Sequence, residues 1–357
     1  MAFDKFQLYG LLSWFMVLNG LHHFYFNVKS QSLITYGLIK FYCCIHHALS
    51  VLALGRMIYV YHDNPSICVS FLIIAGVMAS CIRKCWERKM SLKRIMVKLV
   101  FLEKHEFTGF KSGPKLRLRC YMKSLFVAIT FIRIHFFYPT YMKRFSKDLY
   151  ILDICSYWLL YNMLLAEVFA YYCVLWQTCR GFYILNLQLS VSRRKKQLLK
   201  LLQIYGQLLK LSTQMNKVYE YSGVFLCASK CWYQIAFGYE IFVILALPKS
   251  SFNAKLTMAM KVFIILTFIL DAINLYLATD LADEFNKLRE QTRRILRESR
   301  QFNRLVSIFS LQLCLYPERV MFLNAFAFDR RLTFTLLTKS LLFTICWLQG
   351  DYAKLKE

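Results

Sequence analysis

The stretch 328-FDRRLTFTLLTKSLLFTICWLQ-349 is the part of the chain that decides its fold class. An α-helix of this length, at about 1.5 Å per residue, covers roughly the 30 Å of a bilayer's hydrocarbon core. It follows a stretch rich in Lys and Arg and precedes a short polar tail, residues 350–357. The stretch is therefore predicted to be a membrane-spanning helix.

The composition of the whole chain agrees with a membrane location. Of its 357 residues 58% are hydrophobic, against about 45–50% in ordinary soluble domains. A formal charge of +26 is compatible with nucleic acid, an anionic membrane surface or the cytoplasmic loops of a membrane protein. The basic residues lie between long apolar runs, which leaves too little polar sequence for a nucleic-acid-binding face. We therefore expect the lipid bilayer as a partner, and no nucleic acid.

Six further apolar stretches precede the last one. Each is close to, or longer than, the about 17–25 residues that a membrane-spanning helix requires, and the basic stretches between them have helical periodicity. The sequence thus predicts an all-α, polytopic membrane protein with seven transmembrane helices and long helical cytoplasmic extensions. The first six predicted spans are residues 33–61, 67–82, 124–141, 148–178, 223–247 and 256–278.

Residues 6–26 are apolar and aromatic, and three structures compete for them: a signal peptide, a transmembrane helix and an interfacial helix. No small-residue cleavage site follows cleanly, and His22 and His23 interrupt the apolar run. An uncleaved interfacial or re-entrant helix is favoured.

The distribution of Lys and Arg predicts the orientation, because cytoplasmic loops carry the excess. Residues 83–123, 180–222 and 281–331 hold 13, 8 and 10 of them. The alternate connections hold none, three and two, and the tail holds two. The three basic stretches and the amino terminus are therefore predicted to be cytoplasmic, which is opposite to the orientation of G-protein-coupled receptors.

The predicted spans and their orientation divide the chain into five parts. Residues 1–32 form a cytoplasmic or interfacial segment, 33–278 a six-helix transmembrane region with cytoplasmic extensions, and 279–327 further cytoplasmic helices. Residues 328–349 form the seventh helix, and residues 350–357 are an extracellular tail.

Charged residues inside the predicted spans are candidates for a special role. Five such residues are Arg133, Glu167, Glu240, Asp271 and Lys339. Each would cost about 2.5–3.5 kcal/mol facing lipid, so each should face protein or water. Two roles compete for them: pairing within the protein, for example Arg133 with Glu167 or Asp271, and lining an outward cavity, for which Glu240 is the best placed.

Metal, cofactor and enzyme signatures are weak. Most of the 13 Cys lie in apolar runs, where a thiol behaves as a small hydrophobe. Cys43 and Cys44 beside His46 and His47 offer only an incomplete ligand set on one helical turn. We expect no metal, no cofactor and no enzymatic activity, since no Walker loop, zinc motif or Ser/His/Asp grouping occurs.

Residues 342–350, LFTICWLQG, carry a pattern: an aromatic residue, five mostly apolar residues and a glutamine. This pattern resembles the end of the last span in insect gustatory receptors, Thr-Tyr, five apolar residues, then Gln-Phe. Gln349 matches and Phe343 stands in for the Tyr, whereas Leu342 and Gly350 depart from the Thr and the Phe. Upstream, AFAFDRRL at residues 325–332 is similar to the start of that span in the family.

The resemblance implies a ligand-gated, non-selective cation channel for small tastants, built as a homo- or hetero-tetramer in the plasma membrane of chemosensory dendrites. It implies that residues 279–327 form an anchor between subunits and that residues 328–349 line the pore. The outer gate would then hold Leu342, Phe343, Gln349 and Gly350. Few acids and amides lie in the outward half, which favours bitter-type ligands over sugars.

Two sets of residues follow from this expectation. Tyr138, Trp158, Tyr161 and Glu240 are candidates for an outward ligand pocket, although aromatic residues near span ends also form interfacial belts. Lys339 is expected to turn away from the pore axis, towards an acid or a carbonyl, because a ring of four lysines would repel cations. An odorant-receptor-like subunit that needs a co-receptor, and a transporter, are the alternatives.

Overall fold

The computed structural model describes residues 5–87, 92–139, 151–191, 195–246, 256–298, 320–323 and 326–356. Two antiparallel hairpins within them pair β1 (Tyr25–Asn27) with β2 (Ser32–Ile34), and β3 (Met321–Phe322) with β4 (Phe326–Ala327). The all-α class is confirmed, and the two hairpins are an addition that the sequence did not predict. The described helices are α1 Lys5–Leu18, α2 Gly37–Val60, α3 Pro65–Trp86, α4 Leu92–His105, α5 Pro114–Phe136, α6 Ile151–Val191, α7 Lys195–Ala246, α8 Met258–Glu298 and α9 Arg330–Lys356.

The helices lie where the sequence predicts the seven spans. Among the described helices, α2, α3, α6, α8 and the part of α9 up to Gly350 are long and apolar enough to cross a membrane. Helices α5 and α7 cover the other two predicted spans. They are more charged along their length, with Lys123 and Arg133 in the first and Lys230 and Glu240 in the second.

The amino-terminal segment is shorter as a helix than predicted. Helix α1 ends at Leu18, and Gly20, at φ 69°, reverses the chain. A side chain at Gly20 would be strained there, and its Cβ would lie 2.4 Å from Nδ1 of His46. The chain then returns along α1, where the Phe26 amide donates to Oγ of Ser13 at 2.8 Å. Residues 6–26 therefore form a helix and the first strand of a hairpin that packs against it.

Three long helices extend beyond the membrane on the side that carries the basic stretches, which we call the basic side. Helices α6 and α8 have 41 residues each and α7 has 52, whereas about 20 suffice to span a bilayer. Phe182 of α6 packs edge-on against the rings of Tyr205 and Phe285, at 5.5 and 5.4 Å. Asn186 donates to the Leu288 carbonyl at 2.9 Å and accepts from Thr292. The predicted helical extensions are thus continuations of the spans themselves.

The carboxy-terminal parts are described incompletely. Of the predicted segment 279–327, residues 299–319 and 324–325 lie outside the described residues. Helix α9 starts at Arg330 and continues through Lys356, so the stretch predicted as a tail, residues 350–357, continues the last helix as far as Lys356.

The buried charges pair differently from the sequence prediction. Glu167 on α6 accepts from Lys84 on α3, and Asp271 on α8 accepts from Lys230 on α7 at 2.6 Å. Among the described residues Arg133 forms no ion pair with Glu167 or Asp271, so neither of the pairings given as examples is found. The partners lie 83 and 41 residues apart in the chain, and no local pattern indicates which lysine comes to the same depth as which acid.

Candidate functional site

A cavity of about 90 Å³ lies between five helices, in the half of the membrane region away from the basic side. Tyr138, Tyr161 and Glu240, three of the four residues predicted for a pocket, line it together. Trp158 does not line it and instead packs against the ring of His135, with the centroids 5.0 Å apart. The structure thus brings most of the predicted set to one place.

Half of the residues that line the cavity are aromatic, in part because two helices each present a stripe at helical spacing. Tyr157 and Tyr161 are one turn apart on α6, with ring centroids 4.0 Å apart. Tyr233 of α7 shares a hydrogen bond with the hydroxyl of Tyr161, and Phe237 follows one turn later. We call this cavity the chamber. It combines aromatic rings with a few charged side chains, which suits a small organic molecule.

Arg133 is the least satisfied charged group of the chamber. Its side chain is buried, with 7% exposed, and its Nε and Nη1 have no hydrogen-bond partner among the described residues. Its guanidinium carbon lies 5.8 Å from the ring centroid of Phe263, within the range of a cation–π contact. Asp271 also lines the chamber, but its charge is met by Lys230.

Two smaller cavities continue from the chamber towards the basic side. One of about 30 Å³ shares Arg133, Tyr161 and Asp271 with it and reaches Asn274. The next, of about 40 Å³, shares Asn274 with the previous one and ends at Phe328, beside the start of α9. The cavities therefore form a row from the chamber to the base of α9, with the Lys230–Asp271 pair between them.

Helix α7 separates the chamber from α9 and contacts both. Trp232 lines the chamber, and its ring also packs edge-on against Trp347 of α9 at 5.6 Å. The Thr344 hydroxyl donates to the Ile235 carbonyl at 3.4 Å. A Cβ on Gly238 would lie 3.2 Å from that hydroxyl oxygen, so the two helices are as close as a glycine allows.

The residues predicted for the gate all lie on the uncovered side of α9. Its covered face carries Ser340, Thr344 and Leu348, which are buried against the rest of the chain. The side chains of Leu342 and Phe343 are 52% and 55% exposed. Gln349 and Gly350 are exposed too. The described part of the chain therefore leaves this face open.

Lys339 is exposed like Leu342 and Gln349, and at about 100° per residue the three side chains lie within roughly 80° of each other around the helix. It makes no hydrogen bond or ion pair with any residue that the structure describes. The acid or carbonyl partner expected for it is thus not supplied by the described part of this chain.

Of the Cys and His residues that the sequence singled out, His47 has contacts through both nitrogens of its ring. Nε2 of His47 donates to the Gly20 carbonyl at 2.7 Å, and its Nδ1 accepts from Trp86 at 3.1 Å. Both nitrogens are therefore engaged. Burial also lowers the pKa of His22 to about 3, which keeps that ring neutral. No group of three or more His, Cys, Asp or Glu that could hold a metal occurs among the described residues.

Several chamber residues were not predicted: Tyr157, Trp232, Phe237, Phe263 and Thr267. The sequence contains a signal for two of them. Tyr157 precedes Tyr161 by one helical turn, and Phe237 follows Tyr233 by one helical turn. Nothing in the sequence indicates which side of each helix faces the chamber.

Comparison with known proteins gives a consistent result. The model of the family described as 7tm Chemosensory receptor matches residues 9–353. The fold is similar to the insect olfactory receptor OR5 from Machilis hrabei in complex with eugenol, with a TM-score of 0.67 and 13% identity over 96% of this chain and 98% of that chain. A second structure of that receptor gives the same TM-score and coverage at 12% identity. No curated protein sequence matches.

Proposed function

This chain belongs to the 7tm chemosensory receptor family, and from this premise we propose that it is a gustatory-type subunit of a ligand-gated, non-selective cation channel. Its ligand is a small molecule that enters the aromatic chamber, and α9 lines the pore. The subunits form a homo- or hetero-tetramer in the plasma membrane, and the dendrite of a chemosensory neuron is the proposed location.

The observation that carries this proposal is the double contact of α7. Trp232 lines the chamber on one side and packs against Trp347 of α9 on the other. A ligand that displaces the Trp232 ring therefore also displaces a residue of α9. Because Gly238 and Thr344 are already in close contact, the two helices have little room to move independently.

The exposed face of α9 supports its role as the pore-lining element. Of the most apolar 18 residues of this helix only 22% are buried within the chain. Four copies of this face around an axis would bring Leu342 and Phe343 into apolar rings, which can close a pore by excluding water. Gln349 would add a ring of neutral amides that coordinate ions without trapping them.

The chamber supports a ligand of small size and mainly apolar surface. Half of its lining residues are aromatic, and its volume is about 90 Å³. The similar OR5 structure contains eugenol, a small aromatic compound, and this agrees with a bitter-type ligand better than with a sugar.

Whole-cell recording from cells that express this chain alone tests the proposal. We expect currents evoked by small aromatic compounds, carried by both sodium and potassium, and far larger than the turnover of any carrier. In the variant Trp347→Ala, which leaves the chamber wall intact, the current should fall while ligand binding persists. Currents limited to carrier rates would instead indicate a transporter.

A second candidate is an odorant-receptor-like subunit that requires a co-receptor, and the likeness to an olfactory receptor structure favours it. Co-expression separates the two candidates. A subunit that is silent alone and conducts only with a co-receptor supports the second candidate, whereas current from this chain alone supports the first.

A further inference from the structure

A further cavity, of about 310 Å³, lies on the basic side, at the end of α3. Three parts of the chain form its wall: the turn after α1 at residues 21–24, the last residues of α3 with Glu87, and the start of α4 at residues 92–94. The volume falls within the range of about 300–1,000 Å³ that ligand pockets have. Two lining residues, Trp86 and Arg94, are exposed, so the cavity opens to the surface.

The surroundings of this cavity indicate that it lies at the level of the lipid headgroups. The apolar run of α3 ends beside it, at Arg83 and Lys84. Helix α1, which leads into the turn of its wall, exposes the apolar side chains of Leu11, Trp14 and Leu18. Exposed Trp and apolar residues close to Lys and Arg are typical of a membrane–water interface. A headgroup of the leaflet on the basic side can therefore reach the cavity.

One cation of the wall is not matched by an acid. Lys84 and Glu87 each form an ion pair with a residue outside the wall. Lys93 donates to the neutral Thr35 hydroxyl at 2.9 Å, and it forms no ion pair with any residue that the structure describes. Arg94 has a further interaction of its own, so we count the charge without it. The wall still carries an excess of one positive charge.

The field of this charge acts on the ring of His23. His23 lines the cavity and stacks on Trp86, with the ring centroids 5.8 Å apart. Burial lowers the pKa of His23, and the charges of Lys40 and Lys93 lower it further. Lys40 thus adds to the positive potential at the cavity, and such a potential attracts anions.

The charge and the size of the cavity indicate which anion fits. A phosphate monoester carries about −1.5 to −2 charges and three acceptor oxygens, which suits the neighbouring Lys93 and Arg94. Phosphatidylserine and phosphatidylethanolamine carry an ammonium group, which would be repelled by Lys84 and Lys93. The cavity has more room than a bare phosphate requires, and Trp86 offers a ring face to a larger headgroup.

The sequence around the cavity points to the same class of lipid. Six Lys and Arg residues lie between positions 83 and 94. Basic clusters and pockets of this kind, directly on the cytoplasmic side of a transmembrane helix, bind the headgroups of phosphorylated inositol lipids.

We propose that this cavity binds the headgroup of a phosphorylated phosphatidylinositol from the predicted cytoplasmic leaflet, and that Lys93 donates to its phosphate monoester. The inference goes beyond the channel function and does not depend on it. It assigns a lipid ligand to a site at the opposite end of the membrane region from the chamber.

Competition for a fluorescent phosphatidylinositol phosphate, measured by anisotropy on the purified full-length chain, tests the selectivity. The competitors are short-chain forms of phosphatidylinositol phosphate, phosphatidylinositol, phosphatidic acid and phosphatidylserine, with inorganic phosphate as the soluble source of the same chemistry. A hydrogen bond between two charged groups predicts that phosphatidylinositol phosphate binds about tenfold more tightly than phosphatidylinositol, which lacks the monoester. The other three competitors are expected to bind more weakly than phosphatidylinositol phosphate.

The variant Lys93→Gln removes the charge and should bind phosphatidylinositol phosphate about tenfold more weakly, with the affinity for phosphatidylinositol unchanged. Thr35→Val breaks the same internal hydrogen bond but keeps the charge of Lys93, so it should bind as the wild type does. Lys98→Gln is the matched control, because Lys98 is exposed on the same helix and does not line the cavity.

The competition series on the wild type decides the matter even if Lys93→Gln does not fold. Equal binding of phosphatidylinositol, phosphatidic acid or phosphatidylserine, or equal displacement by inorganic phosphate, would overturn the inference. So would an unchanged affinity in Lys93→Gln, or an equal loss in Thr35→Val, which would assign the effect to the packing of α4. Selective lipid binding without any ligand-evoked current would refute the channel proposal and leave the inference standing.

Discussion

Helices α6 and α9 are both apolar enough to cross a membrane, yet α6 is largely buried within the chain and α9 is largely exposed. Of the most apolar 18 residues, 67% are buried in α6 and 22% in α9. Helix α6 packs against α2, α5, α7 and α8, whereas α9 uses one face against α7 and α8. Apolar composition therefore determines that a segment enters the bilayer, and the neighbours determine whether it serves as core or as an interface.

The charged residues of the two helices differ in the same way. On α6, Asp153 accepts from Arg56 at 2.5 Å, and Glu167 accepts from Lys84. On α9, Lys339 lies on the open face without a partner among the described residues. The described part of the chain thus supplies partners for these two acids of α6 and supplies none for Lys339 of α9.

Removal of Lys84, the ion-pair partner of Glu167 on α6, should have the largest effect on stability. Lys84→Met leaves Glu167 as a buried, unpaired carboxylate, which is expected to lower the free energy of unfolding by about 3–5 kcal/mol. Gel filtration after heating measures this loss of stability, because a less stable variant retains a smaller folded fraction. The control Lys339→Met should change stability by less than about 0.5 kcal/mol.

The double variant Lys84→Met/Glu167→Gln tests the stated cause. It removes the stranded charge and should recover most of the lost stability. If the double variant is as unstable as the single one, packing of the lysine chain rather than the charge of Glu167 is responsible.

The next prediction concerns cysteines on the two helices. Cys346 is exposed on α9, and Cys173 is buried on α6. Charged thiol reagents react with thiolates that water reaches, so a reagent applied during ligand exposure should modify Cys346 and block most of the current.

The variant Cys346→Ser provides the control for this experiment, and it should be insensitive to the reagent. If the current of this variant is blocked as strongly as that of the wild type, the reagent acts at another cysteine. An unmodified Cys346 would show that this face of α9 meets lipid rather than a pore.

A smaller effect is expected where α7 and α9 touch. Gly238→Ala places a methyl group 3.2 Å from the Thr344 hydroxyl oxygen, and overpacking of this kind costs about 1–3 kcal/mol. Part of that cost is offset by the better helix propensity of alanine, about 1 kcal/mol. We expect a shifted concentration–response curve with nearly normal expression, and Thr344→Ala should restore the wild-type curve by making room. Gly206→Ala, in open space on the same helix, is the matched control.

The positions of the helices could be predicted from the sequence, because long apolar runs and the charge of their connections carry that information locally. The turn at Asn64 and Pro65 is an example: Asn64 accepts from the Ile67 amide, and α3 starts at Pro65. The hairpin of β1 and β2 was missed because strands of three residues are too short to show alternation.

The candidate site could be predicted only in part, because the rotation of each helix is set by packing against distant segments. Trp158 and Tyr161 differ by three positions on α6, yet Tyr161 lines the chamber and Trp158 packs against His135. Helix α6 presents the stripe of Tyr157 and Tyr161 instead. Likewise, the choice of Lys230 as the partner of Asp271 depends on how α7 and α8 pack, which no local pattern encodes.

The smallest expected effect concerns Lys339. It shares the exposed face of α9 with Leu342, but long side chains on a helix point towards its amino terminus. The ammonium group should therefore lie on the basic side of the gate and act on ions only through its field, which water screens. We expect Lys339→Gln to move the reversal potential in a salt gradient slightly towards the cation equilibrium potential. A large shift would place four lysines in the narrow part of the pore, and an unchanged potential would place them off the axis, as the sequence alone predicts.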